Sequence, residues 1–416
     1  MAFRWGSPLN WLRARRHLFA TYISDSTDLK RQRWVEMQAR MTGSREFGLS
    51  IPDLQTEFSF IVLGDPGEGD ASQLVLVDKL LKEAEGTPFI VIASDVIYPA
   101  GRSHDYREKF YIPYRAYTGD IYAVPGNHDW YDELTGFMIH FCDNQYHFRA
   151  AQRATVDPKK LSRLRTIRRN RIFQPNMYFY IDTPSVRIVC IDTGISGRID
   201  AAQENWLARV SADPRPKILI SGRPIYVDGT YNRNLVNVDR IVNEHNYRLV
   251  VAGDTHNFQK YRIPVEAHGQ SHIVWHVVNG GGGAFLHRTH VIPPVNKMKL
   301  PVNLLREPDD FECYPTRDQS RKYYHSWWQE HAPDWAVDRD QPPYHKSFLK
   351  IHVTPSSLRV QVFVVEDFDQ QVIDAPPYRE WTIPYGLCEE VVCSAHEISA
   401  FVTSPQAGST EPGVVL

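Results

Sequence analysis

One turn, Gly126-Asn127-His128-Asp129, sets an amide oxygen, an imidazole and a carboxylate side by side. These are donors that a hard or borderline metal and an anionic ester both use. Alone, such a turn is an ordinary polar loop. Four other turns carry comparable groups: Asp65 in Gly64-Asp65-Pro66-Gly67, Asp95 with Tyr98, Arg223 in Ser221-Gly222-Arg223-Pro224, and Asp254 with His256. Each of the five follows an apolar run, and that order is hard to attribute to chance. Asp, Asp, Tyr, Asn, Asp and His form a mixed oxygen and nitrogen set, which suits Fe, Mn or Zn better than Ca. No Ser-His or Cys-His arrangement offers a protein nucleophile.

The elements that must position these turns follow from hydrophobic period. Apolar runs at 58–63, 88–93, 120–124, 217–220 and 247–252 read as strands that end in the five turns. Between them a helix is predicted over 71–85, with Leu74, Val77, Leu80 and Leu81 on its buried face, and further helices near 201–210 and 235–242. Strands are also predicted at 177–181, 186–191 and 272–278, with a hairpin-like pair at 348–353 and 358–365. Strand, polar turn and helix in alternation describe a layered α/β domain, whose ligands bind beyond the carboxyl ends of the strands. Residues 1–55 read as a helical extension capped at Ser26 or Asp28, with Leu29, Trp34, Val35 and Met41 as a partial apolar face. Residues 130–176 read as an insertion, 291–344 as an irregular excursion and 387–416 as a tail.

Composition narrows the classes further. The 416 residues carry 47 Lys and Arg against 49 Asp and Glu, so the whole chain shows no nucleic-acid or membrane bias. No apolar run reaches a membrane span. Five scattered cysteines without a CxxC pair argue for reduced thiols and a cytoplasmic setting. Charge is uneven locally: Arg149 to Arg171 holds nine Lys and Arg against the single acid Asp157, a net +8. That segment could steer an anionic substrate or simply be a solvated helical face, with nucleic acid a less favoured partner.

The motif order Asp65…Asp95…Asn127-His128…Gly253-x-x-His256 resembles the calcineurin-like metallophosphoesterase superfamily. Asp65-Pro66-Gly67 and Asp95-Val96-Ile97-Tyr98 look like its purple acid phosphatase variant, where D-x-G replaces D-x-H and a tyrosine joins. Ser94 stands where that motif has glycine, and Gln203-Glu-Asn-Trp206-Leu207 is similar to the family's Q-x-x-W-L helix. The likeness spans roughly 58 to 283.

It implies a four-layer α/β/β/α sandwich in which residues 56–290 form the phosphoesterase domain and residues 345–386 add strands to it. It further implies that Asp65, Asp95, Tyr98 and His256 hold a first metal and that Asp95 and Asn127 reach a second. His128 would act on the phosphoryl group of a small phosphate ester, oriented by Asp129. Two departures fall on the second metal: Gly222 stands where the family has an isolated His, and Asp254 where it has the first His of G-H-x-H. Asp254 would then hold a harder ion, or Arg223 would fill the space and meet the phosphate. The expectation is a metal-dependent hydrolase with one firm site and one weak or altered site. The alternative is a degenerate fold that binds a phosphorylated ligand or partner without turnover.

Overall fold

The computed structural model describes residues 27–144, 157–267, 270–286, 290, 311–320 and 342–386. In chain order the elements are α1 (Thr27–Thr42), β1 (Gly48–Ser50), β2 (Phe58–Leu63), α2 (Ala71–Glu83), β3 (Phe89–Ala93), β4 (Asp120–Val124), α3 (Asn127–Trp130), α4 (Thr135–Phe141) and α5 (Pro158–Ile167). Then come β5 (Phe179–Asp182), β6 (Arg187–Ile191), α6 (Ala201–Ser211), β7 (Lys217–Ser221), β8 (Tyr226–Val227), β9 (Thr230–Tyr231), α7 (Val236–Glu244), β10 (Tyr247–Ala252), β11 (Phe258–Ala267) and β12 (Gln270–Asn279). The remaining strands are β13 (Phe311–Tyr314), β14 (Lys346–Val353), β15 (Ser357–Val365) and β16 (Arg379–Pro384).

The strands form two large sheets, ordered β1-β5-β6-β7-β10-β12-β11-β13 and β16-β15-β14-β2-β3-β4. In the first, β6, β7, β10 and β12 run parallel; in the second, β2, β3 and β4 do. These central strands are near-continuous Val, Ile and Leu because both faces are covered. One face of each sheet meets the other sheet, where Asn279 Nδ2 donates to the Val62 carbonyl at 3.0 Å. The outer faces carry α2 against β14 and β15 on one side, and α6 with α7 on the other. The architecture is therefore an α/β/β/α sandwich. The C-terminal strands belong to it: β14 pairs antiparallel with β2, Leu349 opposite Val62 and Val353 opposite Phe58.

Caps fix where the helices start. Asp70 accepts from Ser72 N at the head of α2, and Asp200 from Gln203 N at the head of α6. On α2 the buried apolar positions include Val75, Leu76, Val77 and Leu80, whereas Leu74 is 45% exposed, contrary to the sequence reading. Val77 and Leu80 of the expected stripe are buried and Leu81 packs on the core, while Val75 and Leu76 take the place expected for Leu74.

α1 differs more. Leu29 and Met41, expected on its buried face, are exposed, and the face that packs is Thr27, Arg31, Trp34, Val35 and Gln38. A charged residue lies on it because Arg31 is fully paired: Nε donates to Asp192 at 2.7 Å and Nη1 to Asp28 at 2.9 Å, with Asp200 3.7 Å away. Trp34 Nε1 donates to the Glu133 carbonyl at 2.9 Å. Residues 48–50, read as part of the helical extension, form the edge strand β1 on β5.

β4 is the outermost strand on its side of the six-stranded sheet, yet its ladder groups do not face solvent. Asn170 accepts from Ile121 N at 3.0 Å and donates to Ile121 O at 2.6 Å. Gln174 accepts from Ala123 N at 2.8 Å and donates to Ala123 O at 3.0 Å. Two side-chain amides thus take the place of a neighbouring strand, and the edge is closed against other chains. The basic insertion reaches the sheet at this edge; Arg149 and Arg153 lie outside the described residues. Among the described residues no helix is long and apolar enough to cross a membrane, and Cys142, Cys190 and Cys313 are free.

Candidate metal centre

All five polar turns lie at the carboxyl ends of parallel strands, and hydrogen bonds and close backbone approach tie the two sheets together there. Asp254 N, after β10, donates to Asp65 Oδ2, after β2, at 2.8 Å. A Cβ on Gly253 would stand 2.0 Å from the Ala93 carbonyl and 2.4 Å from Asp65 Oδ2, so only glycine lets these turns approach. The run Gly280 to Gly283 serves the same closeness: a Cβ on Gly282 would lie 2.2 Å from Gly64 O.

Four non-glycine residues at this edge have positive φ: Asp65 (52°), Ser94 (87°), Asp95 (21°) and Asp254 (71°). Each costs about 1–2 kcal/mol relative to an ordinary conformation, and such residues cluster where function holds them. Ser94 shows why glycine suits its position, and its Oγ is buried with no hydrogen-bond partner among the described residues.

Asp65, Tyr98 and His256 form one contiguous group. The Tyr98 hydroxyl lies 3.2 Å from Asp65 Oδ1 and 3.0 Å from His256 Nε2, and all three side chains are nearly or fully buried. His256 Nδ1 sits 2.7 Å from the Phe285 carbonyl, which can only accept, so the proton is on Nδ1 and Nε2 carries the lone pair. His128 is set the same way by the Pro99 carbonyl, 2.8 Å from its Nδ1. An imidazole held by a carbonyl with its other nitrogen turned inward is the arrangement of ligating and proton-handling histidines. His128 also lies against the Tyr98 ring, centroids 4.5 Å apart. The backbone N–H of His128 donates to Asp95 Oδ1 at 2.8 Å.

Charge is concentrated here. Burial first, and then the neighbouring carboxylates, push Asp65 and Asp95 well above the usual carboxylate range. Burial also raises the Tyr98 phenol far above its ordinary value. Three acids buried close together are a demand for positive charge.

Asp129 does not orient His128. Its carboxylate accepts from the backbone of Val96 (2.9 Å), Gly126 (3.1 Å) and Ile97 (3.3 Å), clamping the turn after β3 onto the turn after β4. Among the described residues, the Pro99 carbonyl orients His128, a backbone group that no side-chain motif reveals. Asn127 Nδ2 donates to the Tyr131 hydroxyl at 2.8 Å, leaving Oδ1 as its acceptor for a cation. Tyr131 escaped the sequence reading, although its spacing of four residues from Asn127 on a helical turn was the available signal. His290 accepts from His256 N at 3.3 Å with its ring 4.3 Å away; residues 287–289 lie outside the described residues.

The position of the second metal is built differently. Gly222 supplies no side-chain donor, and a Cβ there would crowd Thr193 Oγ1 at 2.8 Å and Pro125 O at 2.9 Å. Arg223 Nε stands 3.2 Å from Asp254 Oδ1, off the line of a good hydrogen bond, so charge rather than direction links them. Among the described residues no group of three His, Cys, Asp or Glu is spaced to hold a metal ion. The reason is visible: Tyr98 lies between Asp65 and His256, Asp254 faces Arg223, and a phenol and an amide make up the rest of the donor set.

Residues 58–258 match the sequence model of the calcineurin-like phosphoesterase family. No curated protein sequence matches the chain. Among solved structures, purple acid phosphatase PPD1 from yellow lupin (Lupinus luteus) is similar over 80% of this chain and 55% of its own, at 14% identity and a TM-score of 0.50. This chain thus spans little more than half the length of that phosphatase. GAP50, the anchor in the inner membrane complex of Plasmodium, is similar over 86% of this chain and all of its own, at 10% identity and a TM-score of 0.51. At such identities the likeness is one of fold.

Proposed function

We propose, for a chain that belongs to the calcineurin-like phosphoesterase superfamily, that it hydrolyses a small phosphate ester with one resident metal and an arginine in place of the second. The observation that supports this most is the cluster of strained acids at the sheet edge: buried Asp65 and Asp95 and half-buried Asp254, all at positive φ, around a phenol and an inward-facing imidazole nitrogen. A fold with no charge to hold would have little reason to keep them there.

The donor chemistry fits a cation held by Asp65, Asp95, Tyr98 and His256, with Fe, Mn or Zn matching the mixed oxygen and nitrogen set. When bound, such an ion would acidify a water and polarise the phosphoryl oxygens. Asn127 Oδ1 would add a further oxygen donor, held by Tyr131. His128, with Nδ1 tied to Pro99, would in its imidazolium form present an Nε2–H to the ester and give that proton to the leaving oxygen. Arg223, kept near the centre by Asp254, would set its fork against the phosphate oxygens.

The test is hydrolysis of a generic aryl phosphate by purified protein supplied with Mn or Fe. Asp95→Ala and His128→Ala should each abolish it, and activity that survives both overturns the proposal. The Arg223–Asp254 pair also favours a second reading, a non-catalytic fold that binds a phosphorylated ligand. The same fold serves as an anchor in Plasmodium GAP50, so only the site decides. Elemental analysis separates the readings: at least one metal per chain supports the enzyme, none supports the binding module.

A further inference from the structure

The carboxyl-end cluster leaves the basic residues of α5 and the segment after it unused. Arg165, Arg168 and Arg169 line a recess whose remaining walls include Phe110, Tyr111 and His140. The recess itself holds about 10 Å³, the room of one water-sized group. Through Arg165 and Arg169 it adjoins a wider cavity of about 260 Å³ formed by α5, where Ser162 and Thr166 add hydroxyls.

Arg168 is 5% exposed. Its Nη1 donates to Asn170 and its Nη2 to the Gly119 carbonyl, but its buried Nε has no partner among the described residues, and neither has Arg165 Nε. No carboxylate forms an ion pair with Arg168 among the described residues, and burial lowers its guanidinium to about 10. Among the described residues, the one acid in contact with the cluster is on Arg165, Asp143 Oδ1 at 2.6 Å. His140 is kept neutral: burial holds it at about 3, its Nε2 lies 2.8 Å from Ser103 Oγ, and its Nδ1 lies 3.1 Å from the Tyr111 hydroxyl. The walls are therefore net positive by two charges around a neutral floor. Gly119, to which Arg168 is tied, precedes the first residue of β4, whereas Asn127 and His128 follow its last. The cavity is thus a site apart from the metal centre.

The geometry points to a binding site for a phosphate dianion, inorganic phosphate or a terminal phosphomonoester, seated on Arg165 and Arg169 with one oxygen in the recess against Arg168 Nε. A guanidinium buried without its counter-charge is what such an anion completes, through charge-assisted hydrogen bonds from planar forks. A concave cavity with a buried end favours a compact dianion over a polymer, whose charges need an open stripe. This reading is independent of catalysis at the metal centre.

Equilibrium dialysis at constant ionic strength would count the phosphates bound to full-length, chelator-treated protein. The probes are inorganic phosphate, glycerol 3-phosphate and a single-stranded oligonucleotide. Asp95→Asn should keep the site, whereas Arg169→Gln and Arg165→Gln should each weaken it about tenfold, the loss of one charge-assisted contact. Arg169 is exposed, so its variant should fold normally, with an unchanged melting temperature and unchanged aryl phosphate hydrolysis. Phosphate binding that both arginine substitutions leave intact, or that Asp95→Asn removes, overturns the assignment. So does binding of the oligonucleotide alone with a steep salt dependence.

Discussion

Asp95→Asn tests whether the acid cluster exists to hold a cation. In the metal-free protein Asp95 is 2% exposed, its charge opposed by Asp129 and Asp254, with no ion pair to it among the described residues. What supports the charge is the His128 N–H at 2.8 Å and the Tyr98 hydroxyl. The amide keeps an oxygen for the His128 N–H and removes only the charge. Relieving one poorly compensated buried charge is worth about 1–3 kcal/mol, which at this chain length raises the melting temperature by about 1–3 °C. With metal the order should reverse. An ion at a thousand times its dissociation constant stabilises the wild type by about 4 kcal/mol, and a neutral amide in the ligand set forfeits most of that. The assay is a pair of thermal melts, one with chelator and one with excess Mn. A variant that melts lower than wild type under both conditions, or that gains as much from Mn as wild type does, refutes the reasoning and makes Asp95 a structural acid.

Arg223→Gln should lower kcat/KM for an aryl phosphate about 10–100-fold through loss of a charge-assisted contact, with metal content by elemental analysis unchanged. Burial raises the Asp239 carboxyl to about 6, so the folded chain keeps a proton that the unfolded chain releases near pH 4. Stability from that group is full below about pH 4 and is lost as pH climbs through 6. Asp239→Asn should flatten that fall, by roughly 2–3 kcal/mol, in urea denaturation at pH 4 and pH 7. Gln174→Ala strips Ala123 N and O of their partners; it should cost about 2–4 kcal/mol and lower the melting temperature, and light scattering should show association through the opened edge.

What was legible in the sequence was what is local. Central strands bury both faces, so 58–63, 120–124 and 247–252 announce themselves as apolar runs, and the turns that end them carry their chemistry in consecutive residues. β11 was missed because it is no continuous apolar run: Tyr261, Ile263 and Val265 alternate with Arg262, Pro264 and Glu266, the period of a half-buried strand. The roles of Arg31 and Asp129 were missed for a different reason. A buried arginine is legible only through Asp192, 161 residues away, and a carboxylate that clamps backbone amides looks in sequence like one that orients a histidine. The same holds for Pro99, whose carbonyl fixes the His128 tautomer without any side-chain signature.

The two amides on β4 also govern how this chain can change. Asn170 and Gln174, four residues apart, are what this part of the chain contributes to the sheet edge, and residues 157–169 add no strand to either sheet. The exposed head of α5, residues 157–160, is therefore a point where the chain can vary in length. Lengthening it adds only about 0.6 kcal/mol of loop-closure entropy per doubling. Another domain could be spliced in there, so long as Arg168 still returns to Gly119 and the two amides to Ile121 and Ala123. Diversification of what lies over the sheet edge is thereby decoupled from the strand that presents Asn127 and His128.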